Sequence, residues 1–144
     1  MKKIILNVTV AVMAVVLASC SGVKREKLIG AWSPVSMEAV INGETQELPT
    51  DDVKLTITYN EDSTVVMAAP LFGSKVIPFA KGNWTLEGKK LTVTYTESLM
   101  GAMDDKTQVN EILELSDSTL VCQATDSIDG VTATTKTKYV RVTE

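Results

Sequence analysis

Apolar and polar residues alternate with period two along most of the chain after residue 27. Val53, Leu55, Ile57 and Tyr59 interleave with Lys54, Thr56 and Thr58, and Leu91, Val93 and Tyr95 interleave with Thr92, Thr94 and Thr96. Such alternation turns one face of a strand to a core and the other to water. Threonine on the wet face adds strand propensity without adding apolar surface. Turn residues punctuate the runs at Asn42-Gly43, Asn60-Glu61-Asp62-Ser63, Gly73-Ser74, Glu87-Gly88, Ser116-Asp117-Ser118 and Asp129-Gly130. The runs between them predict eight strands, near 29–41, 53–59, 64–71, 75–86, 90–97, 108–115, 119–125 and 132–142. No segment beyond residue 27 carries a sustained helical stripe. The pattern predicts an all-β fold, a single eight-stranded up-and-down antiparallel barrel whose closure removes free edges. A two-sheet sandwich is the competing architecture. Pro70 and Pro78 belong at bulges or strand ends, since neither can donate to a ladder.

The first residues follow another pattern. Lys2 and Lys3 precede an apolar run, Ile4 to Val16, broken only by Asn7 and Thr9, and the run ends in Leu17-Ala18-Ser19-Cys20. The run is short for a membrane-spanning helix and suits a signal-peptide core. Leu17-Ala18-Ser19-Cys20 resembles the lipobox of bacterial lipoproteins. That resemblance implies removal of residues 1–19 and lipidation of Cys20, with the membrane as a partner through that lipid. It divides the chain into a leader (1–19), a lipidated cysteine with a polar tether (20–27) and a barrel domain (28–144). Ser21 after the cysteine resembles the outer-membrane sorting rule, and Ser21-Gly22-Val23-Lys24-Arg25-Glu26 lacks the acidic cluster of surface-exported lipoproteins. The expected address is the cell envelope, anchored in the outer membrane and facing the periplasm.

Composition narrows the chemistry. Without Lys2 and Lys3, 12 of the 14 basic residues remain against 18 acidic ones, a formal charge of −6. An acidic chain with no basic run speaks against nucleic acid as a partner, and against electrostatic docking on anionic lipid. The chain has no histidine, which removes imidazole bases, Ser–His and Cys–His nucleophile pairs and most zinc sites. Asp51-Asp52, Glu61-Asp62 and Asp104-Asp105 are neighbours in turn-like context, and adjacent strand residues face opposite ways, so none reads as a catalytic dyad. Asp126-Ser127-Ile128-Asp129-Gly130 has some likeness to a calcium loop but lacks its ligand alternation and distal glutamate. No metal site, cofactor site or enzyme activity is expected. With Cys20 acylated, Cys122 has no partner in the chain and reads as a small buried hydrophobe.

Leu28-Ile29-Gly30-Ala31-Trp32 opens the domain and Lys138-Tyr139-Val140-Arg141-Val142 closes it. Gly-x-Trp at the start of the first strand is similar to the lipocalin signature. Tyr59-Asn60-Glu61-Asp62-Ser63-Thr64-Val65 and Gly82-Asn83-Trp84-Thr85-Leu86-Glu87-Gly88 resemble hairpins of the lipocalin-like domains of small bacterial envelope lipoproteins. The resemblance implies a calycin-type barrel closed at one end by Gly30 and Trp32, with a basic residue of the last strand, Arg141 or Lys138, laid over the tryptophan. The domain is shorter than secreted lipocalins and shows no helix after the barrel. Gly82-x-Trp84 also echoes Gly30-x-Trp32.

The remaining apolar material suits binding. Met67, Phe72 and Phe79 surround the Gly73-Ser74 turn, Met100 and Met103 flank Gly101, and Trp84 and Tyr95 lie on strands that face the interior. These seven are the candidate ligand-binding residues, because methionine and aromatic side chains adapt to an apolar guest. The expected function is binding or carrying a small hydrophobic ligand. The alternative is a non-enzymatic barrel with a packed interior that meets another envelope protein, in the manner of an inhibitor, through its loops.

Overall fold

The computed structural model describes residues 23–50, 54–70 and 75–143, and in it the alternating runs form one antiparallel sheet that closes on itself. The strands are β1 (Gly30–Ile41), β2 (Glu44–Leu48), β3 (Thr56–Tyr59), β4 (Thr64–Pro70), β5 (Val76–Glu87), β6 (Lys90–Ser98), β7 (Thr107–Leu115), β8 (Thr119–Ile128) and β9 (Val131–Arg141). From β3 to β9 each pairs with the next, and β9 returns to β1. One edge of β1 is taken by β9. The other carries two strands in succession: Gly30–Trp32 face Tyr59–Ile57 of β3, and Met37–Ile41 face Leu48–Glu44 of β2. Nine strands therefore fill eight lanes of a closed barrel, a size with room for side chains or one small ligand. The leader, Cys20, Phe72 and Asp51-Asp52 lie outside the described residues.

Eight of the strands fall where the alternation puts them. β2 is the addition, and all five of its residues are exposed. With neither face buried, nothing selects an apolar alternation there. Its signal is the turn ahead of it: Asn42 and Gly43 hold φ of 52° and 81°, the paired positive values of a two-residue hairpin turn. Asp129-Gly130, with φ of 52° and 80°, is the same kind of turn between β8 and β9.

Register shifts leave Val35, Phe79, Thr96 and Leu113 without ladder partners. Such bulges bend the strands of a small ring. Pro78 sits beside the Phe79 bulge and Pro70 ends β4, where a missing N–H is tolerated.

The core gathers at one end. Leu28, Trp32, Val65, Trp84, Leu91, Ile112 and Leu120 are all essentially inaccessible. The β3–β4, β5–β6 and β7–β8 turns meet there, so this end is closed. The β1–β2, β6–β7 and β8–β9 connections ring the opposite end. The stretch expected as tether is folded from Val23 on: α1 (Arg25–Leu28) is one helical turn packed on the closed end by the buried Leu28.

Candidate functional site

Two tryptophans make the floor of the barrel. Trp32 donates its indole N–H to the Leu28 carbonyl at 2.9 Å, and the Arg141 guanidinium lies 4.3 Å from its ring centre. Arg141 is fixed by three backbone carbonyls: Nε donates to Asp117 at 2.6 Å, Nη1 to Ile29 at 2.8 Å and Nη2 to Lys27 at 2.5 Å. Gly30 adopts φ +131°, and a Cβ there would overlap Arg141 Nη1. The glycine of Gly-x-Trp thus leaves room for the arginine that covers the tryptophan. Lys138, the other basic residue of the last strand, is exposed and leaves the position to Arg141.

The second tryptophan repeats the arrangement. Trp84 donates its indole N–H to the Asn60 carbonyl at 3.1 Å, and Arg25 lies 4.1 Å over its ring. Arg25 also donates to the Glu61 carbonyl at 2.6 Å and to Ser63 Oγ at 3.1 Å. Those acceptors are held in place by Asp62, which accepts from Thr64 Oγ1 at 2.6 Å and Thr64 N at 3.0 Å. The Thr64 hydroxyl, then its amide, holds the Asp62 carboxyl below the usual carboxylate range. Gly82 again permits close approach, since a Cβ would strike the Thr94 carbonyl. Arg25 was hidden in a stretch that reads as tether. The echo of Gly30-x-Trp32 in Gly82-x-Trp84 is the one sequence signal that a second cation belongs here.

Around the floor the polar ends of the core residues are withdrawn from solvent. Burial pushes the Tyr95 hydroxyl and the Cys122 thiol up to about 12. Burial, reinforced by neighbouring acidic groups of the same cluster, moves Tyr59 and Tyr139 the same way. Cys122 stays a thiol, and a thiol is a poor nucleophile. These phenols and the thiol are uncharged at neutral pH in any case; their upward shifts mark withdrawal from water, which penalises a charged neighbour.

The candidate ligand residues separate by position. Trp84 and Tyr95 belong to the packed core, while Met67, Phe79 and Met103 are half-buried against it. The β6–β7 connection decides between its two methionines. Ser98 Oγ donates to Asp104 at 2.7 Å and accepts from Met103 N at 2.8 Å, which turns Met103 inward. Met100, at φ 58°, is 96% exposed and lines no part of the interior. Phe72 lies outside the described residues. A groove of about 400 Å³ lies off this axis, where the β1–β2 hairpin meets Pro49 and Thr50. It carries Glu38 and Glu47, carboxylates that suit no apolar guest.

A sequence-family model described as a lipocalin-like domain matches residues 28–122. The rest of β8 and all of β9 follow that match and close the ring. No curated protein matches. Among solved structures, apocrustacyanin C1 superposes with a TM-score of 0.53 at 12% identity over 84% of this chain, which spans 64% of that protein's length. Lobster apocrustacyanin A1 gives 0.50 at 13% identity, with 84% and 64% of the two chains covered. Bovine odorant binding protein, solved with a selenium-containing odorant, gives 0.45 at 16% identity over 86% of this chain and 76% of its own. At such identities the likeness to the apocrustacyanins is one of fold.

Proposed function

The chain belongs to the lipocalin-like domain family, and from that premise we propose that it is a lipid-anchored envelope protein whose barrel binds or carries a small hydrophobic ligand. The observation that carries the reading is the layer above the tryptophan floor. Met67, Phe79 and Met103 rest half-buried against a core that includes Tyr59, Tyr95 and Cys122, uncharged groups withdrawn from water. Such a surface has apolar area to offer and no charge to pair, which selects an uncharged, apolar guest. Lipocalins are typically binding proteins, and the absence of histidine agrees with a role without catalysis. The lipobox-like Leu17-Ala18-Ser19-Cys20 supports anchoring through Cys20 at the periplasmic face of the outer membrane.

A neutral apolar dye such as N-phenyl-1-naphthylamine tests the reading. Saturable binding, with fluorescence gain and competition by neutral lipids but not by their charged analogues, is expected; no saturable binding would contradict it. For the anchor, Cys20→Ser is expected to move the protein from the membrane to the soluble fraction.

A second reading has one observation in its favour. Met100 stands out in solvent beside Asp104 and Asp105 on a connection tied by its own hydrogen bonds, an apolar tip with acidic flanks that a basic protein partner would fit. Under that reading the interior stays packed and the loop makes the contact.

A further inference from the structure

We propose that the closed end of the barrel is its membrane face: the groove between α1 and β7 seats on the phosphates of anionic lipid in the bilayer that holds the anchor, and the mouth points away from it. The inference rests on the reading of Cys20 as lipidated.

The groove holds about 220 Å³ and is lined by Val23, Lys24, Lys27, Lys89, Leu113 and Leu115, with Glu114 as its one acidic member. The three lysines are exposed. Leu113, skipped by the β7–β8 ladder, is 43% exposed. Lys27 meets Asp117 at 4.0 Å, and with the two side chains 46% and 96% exposed that pair holds the ammonium weakly. The site thus offers ammonium groups around an apolar floor, the pairing that a phosphate and the upper acyl chain present at a bilayer surface.

Chain length places it there. Cys20 precedes Val23 by three residues, a reach of about 11 Å at full extension. An acyl chain on Cys20 therefore keeps the groove next to the headgroups. The mouth carries Glu44, Glu47, Asp104, Asp105, Asp126 and Asp129, which an anionic surface repels, with Lys75 and Lys106 among them. At the closed end Glu26, Glu61, Asp62, Glu87, Glu114 and Asp117 are offset by Lys24, Arg25, Lys27, Lys89, Lys90 and Arg141, so the difference between the ends lies in the bases. Near an anionic leaflet each lysine adds roughly a fivefold gain in surface binding, so three of them fix the orientation of a barrel that the lipid alone leaves free to tumble. A ligand then enters and leaves from the aqueous side.

Lysine acetylation of the full lipidated protein, read by mass spectrometry residue by residue, tests this on vesicles of phosphatidylcholine with and without phosphatidylglycerol. The expected result is about fivefold slower modification of Lys24, Lys27 and Lys89 when phosphatidylglycerol is present, with Lys75 and Lys106 at the mouth unchanged. Protein that floats with the vesicles but shows equal rates on both compositions overturns the proposal and leaves the anchor standing. Slower modification of Lys75 and Lys106 instead reverses the orientation and overturns it as well. Protein that neither floats nor carries lipid mass on its Cys20 peptide removes the anchor, and the proposal with it.

Discussion

Arg25 lies 4.1 Å over Trp84 while reaching the Glu61 carbonyl at 2.6 Å, so a residue only five positions beyond Cys20 closes one half of the barrel floor. Arg141 closes the other half over Trp32 at 4.3 Å. The two are linked through α1, because Arg141 holds the Lys27 and Ile29 carbonyls at the end of the turn that carries Arg25. The N-terminal segment is a structural part of the barrel.

Arg25→Ala is expected to lower unfolding stability by about 1–3 kcal/mol, from the lost cation–π contact and carbonyl hydrogen bonds. Arg141→Ala, with three carbonyls released, belongs at the upper end of that range. Because both clamp α1, the double variant is expected to lose at least about 0.5 kcal/mol less than the two single losses added. Urea unfolding of the four proteins reads this; strict additivity would show that the halves of the floor are independent.

The buried acids set an alkaline limit. Tyr95 and Cys122 sit at about 12, against ordinary values of 10.0 and 9.0, and Tyr59 and Tyr139 are displaced the same way. Below the ordinary values these four groups keep their protons in folded and unfolded chains alike, and through them pH has no leverage. Above them the unfolded chain releases protons that the folded chain keeps, so stability falls as pH rises from about 9 towards 12. With no histidine, the urea midpoint is expected to stay level between about pH 6 and 8 and then drop. Cys122→Ala is expected to move the onset of the drop towards pH 10.

Met103 and Met100 have the same side chain in opposite environments. Met103→Gln is expected to weaken binding of the neutral dye about tenfold, since polar atoms replace half-buried thioether. Met100→Gln is expected to leave it within about twofold, as an exposed side chain has little to lose. Equal effects at the two positions, measured by fluorescence titration, would place the dye outside the barrel.

Legibility in the sequence followed burial. Strands with one buried face, such as Leu91–Tyr95 or Ile57–Tyr59, announce themselves through alternation, and Trp32 with a basic residue of the last strand was readable from Gly-x-Trp. β2 was not, because Glu44 to Leu48 bury nothing. Arg25 was not, because its partners lie 36 and 38 residues away and nothing local distinguishes it from a solvated tether. The inward turn of Met103 and the outward turn of Met100 depend on a Ser98–Asp104 hydrogen bond that composition does not reveal.

The central claim is that the layer above Trp32 and Trp84 receives a neutral apolar molecule. Native mass spectrometry of the protein purified from its own host's envelope tests it most directly. The account predicts a bound species with the mass of an uncharged lipid or similar small molecule, reduced in occupancy by Met67→Gln or Met103→Gln and untouched by Met100→Gln. A protein that arrives empty, and remains empty after incubation with a neutral lipid extract, would contradict it and leave the acidic β6–β7 loop as the working surface.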